Sequence, residues 1–474
     1  MSSNAPECST TADTKSVPPQ ADFNLLQIPA IRTLVLWRGF PAFFQLLVLT
    51  IFIALAIIGW GHYTPEKVNA KLYAKTNIVN LVIWGLWWPA IIAVTFLFGR
   101  VWCIVCPLEL VSSGAEKWSV RLGIAQKSLP GWLSKGSLVV LLFAFMQMLV
   151  PGIQIHRVPH YTSLFLWFSL ALAFAVGLMF KDRAFCRGFC PVALLLSAYG
   201  RGGMLAVRSG NKNCGQNASV SPTARACSSL LNPARLNASQ DCLICGDCIK
   251  ADNGGTMQLL LRPPFSKTDT REPLASWPLT LFVVIVSGFV TYELCGVWKA
   301  ADPVFAYVPE QVIKALGATA WGGWIKGLWT IVAVPLLLWL VLGVVGRLTG
   351  AGQSLGETWR RLALPMALVV AAGHLAKGLE KFTSWAGYLP YAWAEPTGVQ
   401  TAIKMNAKLM PQPSAWLGPV SLSMISLALL ITTIFLAIRE ARLADPEKYR
   451  TRIAPILLLG GFYAFLIFGW SGWL

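Results

Sequence analysis

Two short runs of cysteine and proline have the residue types and spacing to do chemistry. Residues 103–107 read Cys-Ile-Val-Cys-Pro, and residues 186–191 read Cys-Arg-Gly-Phe-Cys-Pro. Each run closes a long apolar stretch, and in each the first cysteine ends the pattern Arg-x-aromatic-Cys. Thiolates at such spacings are ligands for zinc and for iron–sulfur clusters. The pattern therefore predicts a metal centre where the chain leaves a membrane.

A third run, at residues 242–248, reads Cys-Leu-Ile-Cys-Gly-Asp-Cys. It is three quarters of the bacterial ferredoxin motif C-x2-C-x2-C-x3-C-P, whose fourth cysteine ligates the other cluster of a pair. The missing Cys-Pro half is present at residues 186–191. A zinc knuckle and free thiols are the alternatives, but two Cys-Pro pairs and a surplus of thiols favour iron–sulfur clusters.

Nine cysteines between residues 103 and 248 are the predicted ligands of two [4Fe–4S] clusters, which together need eight. They are Cys103, Cys106, Cys186, Cys190, Cys214, Cys227, Cys242, Cys245 and Cys248. In ferredoxins the two cysteines of a C-x3-C-P segment ligate different clusters. By that rule, which we call the ferredoxin division, one cluster is bound by Cys242, Cys245, Cys248 and Cys190. The other is bound by Cys103, Cys106 and Cys186 with Cys214 or Cys227. The alternative places Cys103, Cys106, Cys186 and Cys190 on one shared cluster and gives Cys214 or Cys227 to the other. The sequence does not separate the two divisions.

The composition is that of a membrane protein. Hydrophobic residues make up 55% of the 474 residues, mean hydropathy is +0.58, and only 13% of residues are charged, against about 25% in a soluble domain. The formal charge of +18 falls mostly in loops between apolar runs, as the positive-inside rule expects. This distribution favours contact with membrane lipid and argues against nucleic acid as a partner.

About nine apolar stretches are long enough to approach the roughly 20 residues that a membrane helix needs. We predict an all-α integral membrane protein with about nine transmembrane helices and a small cytoplasmic ferredoxin-like iron–sulfur loop. The predicted spans are 38–60, 78–99, 137–155, 161–180, 276–297, 326–346, 362–384, 416–438 and 453–473.

Basic residues near the ends of these spans predict the orientation. Arg32 and Arg38 flank the first span and place the N-terminus inside, and alternation then puts the cysteine runs inside and the C-terminus outside. In a bacterial-type inner (cytoplasmic) membrane this side is reducing, so structural disulfides are not expected there.

The chain divides into four predicted regions. The first four predicted spans form two similar hairpins. Each hairpin crosses the membrane twice and ends in a Cys-Pro motif on the same side, so an axis along the membrane normal would relate them. The regions are a polar cytoplasmic tail at 1–34, the repeated hairpins at 35–199, a cluster-binding loop at 200–275 and a C-terminal membrane domain of about five helices at 276–474.

His374 and Lys377 are the candidate catalytic residues. They fall inside the seventh predicted span, where ionisable groups are functional candidates by default, and they lie one helical turn apart. Such a pair could hydrogen-bond a quinone and relay protons. The alternative is a histidine bonded to a neighbouring helix. Haem b is disfavoured because His374 is the only histidine deep in a span.

Over about residues 35–265, the two Cys-Pro hairpins followed by ferredoxin cysteines resemble the polyferredoxin-like membrane proteins of the NosR and NapH type. The resemblance implies 4Fe–4S electron transport between the quinone pool or a cytoplasmic donor and a partner redox protein in a respiratory complex, such as a cytochrome or a periplasmic oxidoreductase. A quinol dehydrogenase activity is the corresponding enzymatic expectation.

The chain departs from that family in three respects. Its first motif is Cys-x2-Cys-Pro rather than Cys-x3-Cys-Pro, only one ferredoxin triplet is present, and residues 276–474 have no counterpart in the resemblance. Two other functions therefore stay open. One is an iron–sulfur reductase that assists metalloenzyme maturation, and the other is a zinc-stapled membrane scaffold.

Overall fold

The computed structural model describes residues 22–210, 227, 229–252 and 256–473. The fold is mostly helical, with 69% helix and 3% strand, which confirms the predicted helical class. We label the nine long apolar helices of the described residues α1 (Ala42–Ile58), α2 (Ile78–Phe98), α3 (Ser137–Gly152), α4 (Pro159–Met179), α5 (Trp277–Cys295), α6 (Thr319–Leu348), α7 (Leu355–Ala394), α8 (Pro419–Ala444) and α9 (Tyr449–Ser471). Shorter helices are Pro29–Leu36, Ala70–Thr76, Trp102–Val105, Pro107–Arg121, Gly131–Ser134, Phe185–Phe189, Ala193–Gly200, Asp247–Ala251, Ala301–Leu316 and Val399–Asn406.

Seven of these helices, α2 and α4 to α9, are long and apolar enough to cross a membrane. The other two, α1 and α3, have 17 and 16 residues. At 1.5 Å per residue they extend about 25 Å, slightly less than a hydrocarbon core of about 30 Å. All nine helices overlap the predicted spans, and seven of them meet the length expected of a span.

Helix α7 is the centre of the bundle. Its first 31 residues, Leu355–Trp385, form one continuous helix that is capped by Ser354, whose side chain accepts a hydrogen bond from the Glu357 amide. Small residues on α7 let neighbouring helices approach closely. A Cβ added at Gly373 would lie 2.7 Å from Val290 on α5, so α5 and α7 pack at backbone distance and share the buried core.

The two hairpins meet through a similar close approach. Helix Pro107–Arg121, which follows the first Cys-Pro motif, packs along α4. A Cβ added at Gly177 on α4 would lie 2.2 Å from the Ser112 carbonyl oxygen. Glycine is therefore required at this crossing, and the crossing fixes the position of the first motif relative to the second hairpin.

A small three-stranded sheet forms the body of the cluster-binding loop. Strands β1 (Phe23–Asn24), β2 (Leu205–Ser209) and β3 (Met257–Leu261) are antiparallel in the order β1-β3-β2. Its small apolar core includes Leu26, Val207 and Ile249. Part of the predicted tail therefore packs on this sheet: Phe23 and Asn24 pair with β3, and Leu26 joins its core.

The loop is held to the C-terminal half of the bundle by a buried ion pair. Arg271 donates to both carboxylate oxygens of Glu440, at 2.6–3.0 Å, near the end of α8. The two side chains are 5% and 8% exposed. Within the loop, Asp269 pairs with Arg262 and Arg208 at 2.6 and 2.7 Å. The C-terminal helices thus support the segment that carries the cysteine triplet.

Candidate metal centre

Four cysteines from the two hairpins surround one cavity. The cavity has a volume of about 140 Å³ and its remaining lining is largely apolar. Its cysteines are Cys103, Cys106, Cys186 and Cys190, which we call the first cysteine set. The ends of α2 and α4 therefore meet at the same end of the bundle.

The two motifs reach this cavity despite their different spacing. One helical turn, Trp102–Val105, carries the Cys-x2-Cys pair. In the second hairpin the turn Phe185–Phe189 is π-helical, and the Cys190 amide donates to the Phe185 carbonyl at 2.8 Å. A π turn is wider than an α turn by one residue. The π turn therefore accommodates the extra residue of the Cys-x3-Cys pair.

The cysteine before each proline lies at the beginning of a helix. Cys106 is the N-cap residue of helix Pro107–Arg121. Cys190 lies three residues before helix Ala193–Gly200, and the Ala193 amide donates to the Cys190 carbonyl oxygen at 3.1 Å. Proline tolerates the first helical position because its missing N–H has no partner there anyway. Free amides at a helix N-terminus favour negative charge on a thiolate.

A second group of four cysteines lines another, smaller cavity of about 20 Å³ in the loop. Its members are Cys227, Cys242, Cys245 and Cys248, which we call the second cysteine set. Two residues within the triplet, Ile244 and Gly246, have φ of 54° and 80°, so the chain turns sharply between the thiols. Cys214 lies outside the described residues. The four cysteines of both Cys-Pro pairs thus line one cavity and the triplet lines another with Cys227, and the division of ligands between clusters stays a prediction.

Arg183 lies between the two sets. Its Nε is 3.1 Å from Glu109, on the helix that Cys106 caps, and its guanidinium donates to Asp247 in the triplet helix at 3.1 Å. Burial alone would lower the pKa of Arg183, but Cys245, Glu109, Asp247 and Cys186 raise it. The side chain is 12% exposed, so it is a largely buried cation shared by both sets.

Arg100 holds the corresponding position from the first hairpin. It is 7% exposed, and one guanidinium nitrogen lies 3.4 Å from the Gln240 carbonyl oxygen, just before the triplet. It also interacts electrostatically with Cys103, Cys186 and Cys190. Both arginines precede a cysteine by three residues. The repeated Arg-x-aromatic-Cys pattern was visible in the sequence, but its function as a bridge between the sets was not.

The donor groups are spread out in both cysteine sets. Among the described residues, no three Cys, His, Asp or Glu side chains converge closely enough to hold one metal ion. A cubane is larger than an ion and needs thiolates at four separated corners. Burial raises the pKa of Cys190 to about 11 and that of Cys245 to about 12. Thiols in this environment ionise readily only when a bound metal supplies positive charge.

His374 does not line either cysteine cavity and lies in an aromatic enclosure. Trp88 Nε1 donates to His374 Nε2 at 3.3 Å, and the Tyr199 hydroxyl is 3.4 Å from Nδ1. An indole nitrogen only donates, so in a neutral ring Nδ1 carries the proton and donates to Tyr199. Both ring nitrogens therefore have protein partners, which favours the structural alternative for this histidine.

Lys377, one turn further along α7, contacts carboxylates instead. Its Nζ is 2.8 Å from Glu380 and 3.9 Å from Glu293. It lines a polar cavity near the end of α5 that is remote from the cysteines. Of the two candidate catalytic residues, His374 is linked to the first cysteine set through Trp88, which lines the same cavity as those cysteines, whereas Lys377 lines the separate polar cavity.

Comparison with known proteins relates the two hairpins to an iron–sulfur family. Residues 80–122 and 163–209 match the family model of a 4Fe–4S binding domain. Each segment contains the end of α2 or α4, one Arg-x-aromatic-Cys pattern and one Cys-Pro motif. No curated protein and no solved structure matched the chain. The repeated hairpins are thus similar to a 4Fe–4S binding domain, and this similarity supports an iron–sulfur cofactor in the protein.

Proposed function

We propose that this chain is a membrane-bound electron-transfer protein with two [4Fe–4S] clusters at one end of its helical bundle. The first cysteine set would hold one cluster and the second set the other. The observation that carries the proposal is the pairing of two four-cysteine cavities across one buried arginine, Arg183. When bound, each cluster supplies a one-electron redox couple.

The protein's own residues would set the electrostatics of that couple. Arg100 and Arg183 place fixed positive charge between the sets, and the helix amides behind Cys106 and Cys190 add partial positive charge. Both features stabilise added negative charge, so they raise a reduction potential. Because Arg183 pairs with Glu109 beside the first set and with Asp247 beside the second, it would act on both couples at once.

We further propose that a quinone exchanges electrons beside the first set rather than at His374. The cavity at this set continues along apolar side chains of α3 and α4, including Leu142, Phe145 and Phe168. A quinone ring and its isoprenoid chain are apolar and could enter there from lipid. His374 has both nitrogens engaged and is 3% exposed, so it has no free donor or acceptor to offer.

The other end of the electron path would be a partner redox subunit, such as a cytochrome or a periplasmic oxidoreductase. Both cysteine sets lie at one end of the bundle, so transfer to the opposite side of the membrane needs a further cofactor. In the proposed orientation the clusters face the cytoplasm of a bacterial-type cell. A cytoplasmic donor could therefore reach the second set directly.

Anaerobic purification followed by iron and sulfide analysis and EPR of the reduced protein tests the proposal. About eight irons and two interacting signals are expected. About four irons would reduce the assignment to one cluster. Zinc without iron, in a preparation protected from air, would overturn the electron-transfer function in favour of a structural metal.

Cluster-resolved variants then test the division of ligands. Cys190→Ser should abolish the signal that Cys106→Ser abolishes, since both cysteines line the first cavity. Under the ferredoxin division, Cys190→Ser would instead remove the signal that depends on Cys242. Cys295→Ser, on α5 and outside both sets, is the matched control and should keep both signals.

A further inference from the structure

A large polar cavity lies at the opposite end of the bundle from the cysteines. Helix α5 runs between the two places. Ser276, just before its first turn, lines a cavity that also contains Cys186, whereas Glu293, in its last turn, lines the polar cavity. A helix of 19 residues extends about 28 Å. The polar cavity is therefore separate from the metal centre.

This cavity has a volume of about 510 Å³ and reaches the surface. Its size is within the range of about 300–1,000 Å³ that is typical of small-molecule sites. Lys71 and Gly296, at its edge, are exposed, while His156 is only 8% exposed. Walls come from helix Ala70–Thr76, the loop before α4, the end of α5 and the second half of α7.

Positive charge predominates in the lining. Five cationic side chains face three carboxylates. The cations are Lys71, Lys75, Arg157, Lys377 and Lys381, and the carboxylates are Glu293, Glu380 and Asp302. Ionisable groups at membrane depth are costly and usually have a function. The excess of two positive charges favours a negatively charged occupant.

The carboxylates of Glu293 and Glu380, which are half-buried, are already engaged by the protein. Glu380 accepts from Lys377 at 2.8 Å and from the Ser384 hydroxyl at 3.2 Å. Glu293 lies 3.9 Å from Lys377 and 3.7 Å from Lys381. A bound cation would have to compete with these lysines, so the carboxylates do not make a cation site.

Two side chains, in contrast, lack a close partner. Lys381 approaches Glu293 only to 3.7 Å, which leaves its three N–H groups without a short acceptor among the described residues. His156 is buried, and its Nδ1 has no hydrogen-bond partner within the described part of the chain; in the tautomer that carries the proton on Nδ1, this atom is a donor. Leaving a buried polar atom unpaired is unfavourable, so a ligand that satisfies it gains affinity.

We propose that this cavity binds an anionic oxygen ligand of the phosphate type, with Lys381 and His156 as its inner contacts and Lys71 at its entrance. Lysine donates three hydrogen bonds and cannot accept any, and charge-assisted bonds to phosphate oxygens are the strong ones. The phosphate could belong to a lipid headgroup or to a small solute. The site is independent of the iron–sulfur function.

The test uses the full chain with its metal content intact, in nanodiscs of phosphatidylcholine. Sodium phosphate is titrated at constant ionic strength and the heat of binding is measured. We expect saturable binding that Lys381→Met weakens at least about tenfold and Lys71→Met about threefold. Lys314→Met, an exposed lysine outside the cavity, is the control and should leave binding unchanged.

A second arm replaces phosphatidylcholine with phosphatidylglycerol and measures the unfolding temperature. Stabilisation that depends on Lys381, without affinity for free phosphate, identifies a lipid headgroup as the source. Binding in phosphatidylcholine discs identifies a solute. Absence of both effects, or full binding by Lys381→Met and Lys71→Met, overturns the site. Lys71 is exposed, so Lys71→Met gives a readout even if the buried variant fails to fold.

Discussion

The two cysteine sets differ in what holds them together. The first is built from the ends of two membrane hairpins, and the crossing at Gly177 locks those hairpins side by side. The second is built from one loop whose small sheet includes β1 and whose link to the bundle includes Arg271 and Glu440. A site made of long helices is positioned by the whole membrane domain. A site made of a loop depends on a few local contacts.

Ligand removal should show this difference most strongly. Cys186→Ser takes away a ligand that joins the second hairpin to the first, so we expect about four irons to remain and the yield of folded protein to fall. Cys245→Ser should also leave about four irons, but with the yield preserved. Iron analysis with size-exclusion chromatography measures both quantities. Equal yields from the two variants would contradict the comparison.

The buried pair between the loop and α8 is the next test. Glu440→Ala leaves Arg271 buried without its carboxylate, which typically costs about 3–5 kcal/mol. Hydrogen exchange should rise in β2 and β3 and stay unchanged in α4. Glu310→Ala breaks an exposed pair with Lys326, in which the side chains are 48% and 43% exposed, and should cost about 0–1 kcal/mol. Equal exchange in both variants would mean that the loop does not depend on α8.

The shared arginine should couple the sets electrostatically. A unit charge about 6–8 Å from a redox centre is worth about 2–3 kcal/mol at an effective dielectric constant of about 20, or about 100 mV per electron. Arg183→Met should therefore make both reduction potentials more negative by about that amount in an EPR-monitored titration. Arg121→Met, at an exposed helix end, is the control. A shift in only one potential would assign Arg183 to a single set.

The smallest expected effect comes from the helix crossing behind the first set. Gly177→Ala forces a methyl group against the Ser112 carbonyl, and overpacking of this kind costs about 1–3 kcal/mol. The unfolding temperature should fall, and the first set's EPR signal should broaden before the second set's does. Gly461→Ala on α9 is the control, because an added Cβ there meets nothing within 4 Å. This variant should not lower the unfolding temperature. A second-set signal that changes first would contradict the assignment.

The membrane architecture was largely predictable from the sequence, because apolar length is a local property. All nine apolar helices overlap the predicted spans, and the Cys-Pro repeat identified the segments that match a 4Fe–4S binding domain. The strand at Phe23–Asn24 was missed because two residues give no periodic signal. Its pairing with β3 depends on contacts more than two hundred positions away, from Phe23 to Leu261.

The sequence indicated which cysteines to consider as ligands, but not which of them lie together. The ferredoxin division assumes that Cys186 and Cys190 point to different clusters, as in a soluble loop. In the structure the hairpins bring both Cys-Pro pairs to one cavity. The positions of Arg183 and Glu440 depend on partners 64 to 169 residues away. Such contacts carry no local pattern that a single sequence could disclose.

The π turn at Phe185–Phe189 also bears on how such motifs are recognised in other chains. Within one molecule, two copies of the Cys-Pro motif have different cysteine spacings and still line one cavity. They can do so because the shorter spacing lies on an α turn and the longer spacing on a π turn. What the two copies share is the cysteine immediately before proline at a helix start, with an arginine three residues ahead of the first thiol. A search template should therefore fix these two landmarks and let the number of residues between the thiols vary.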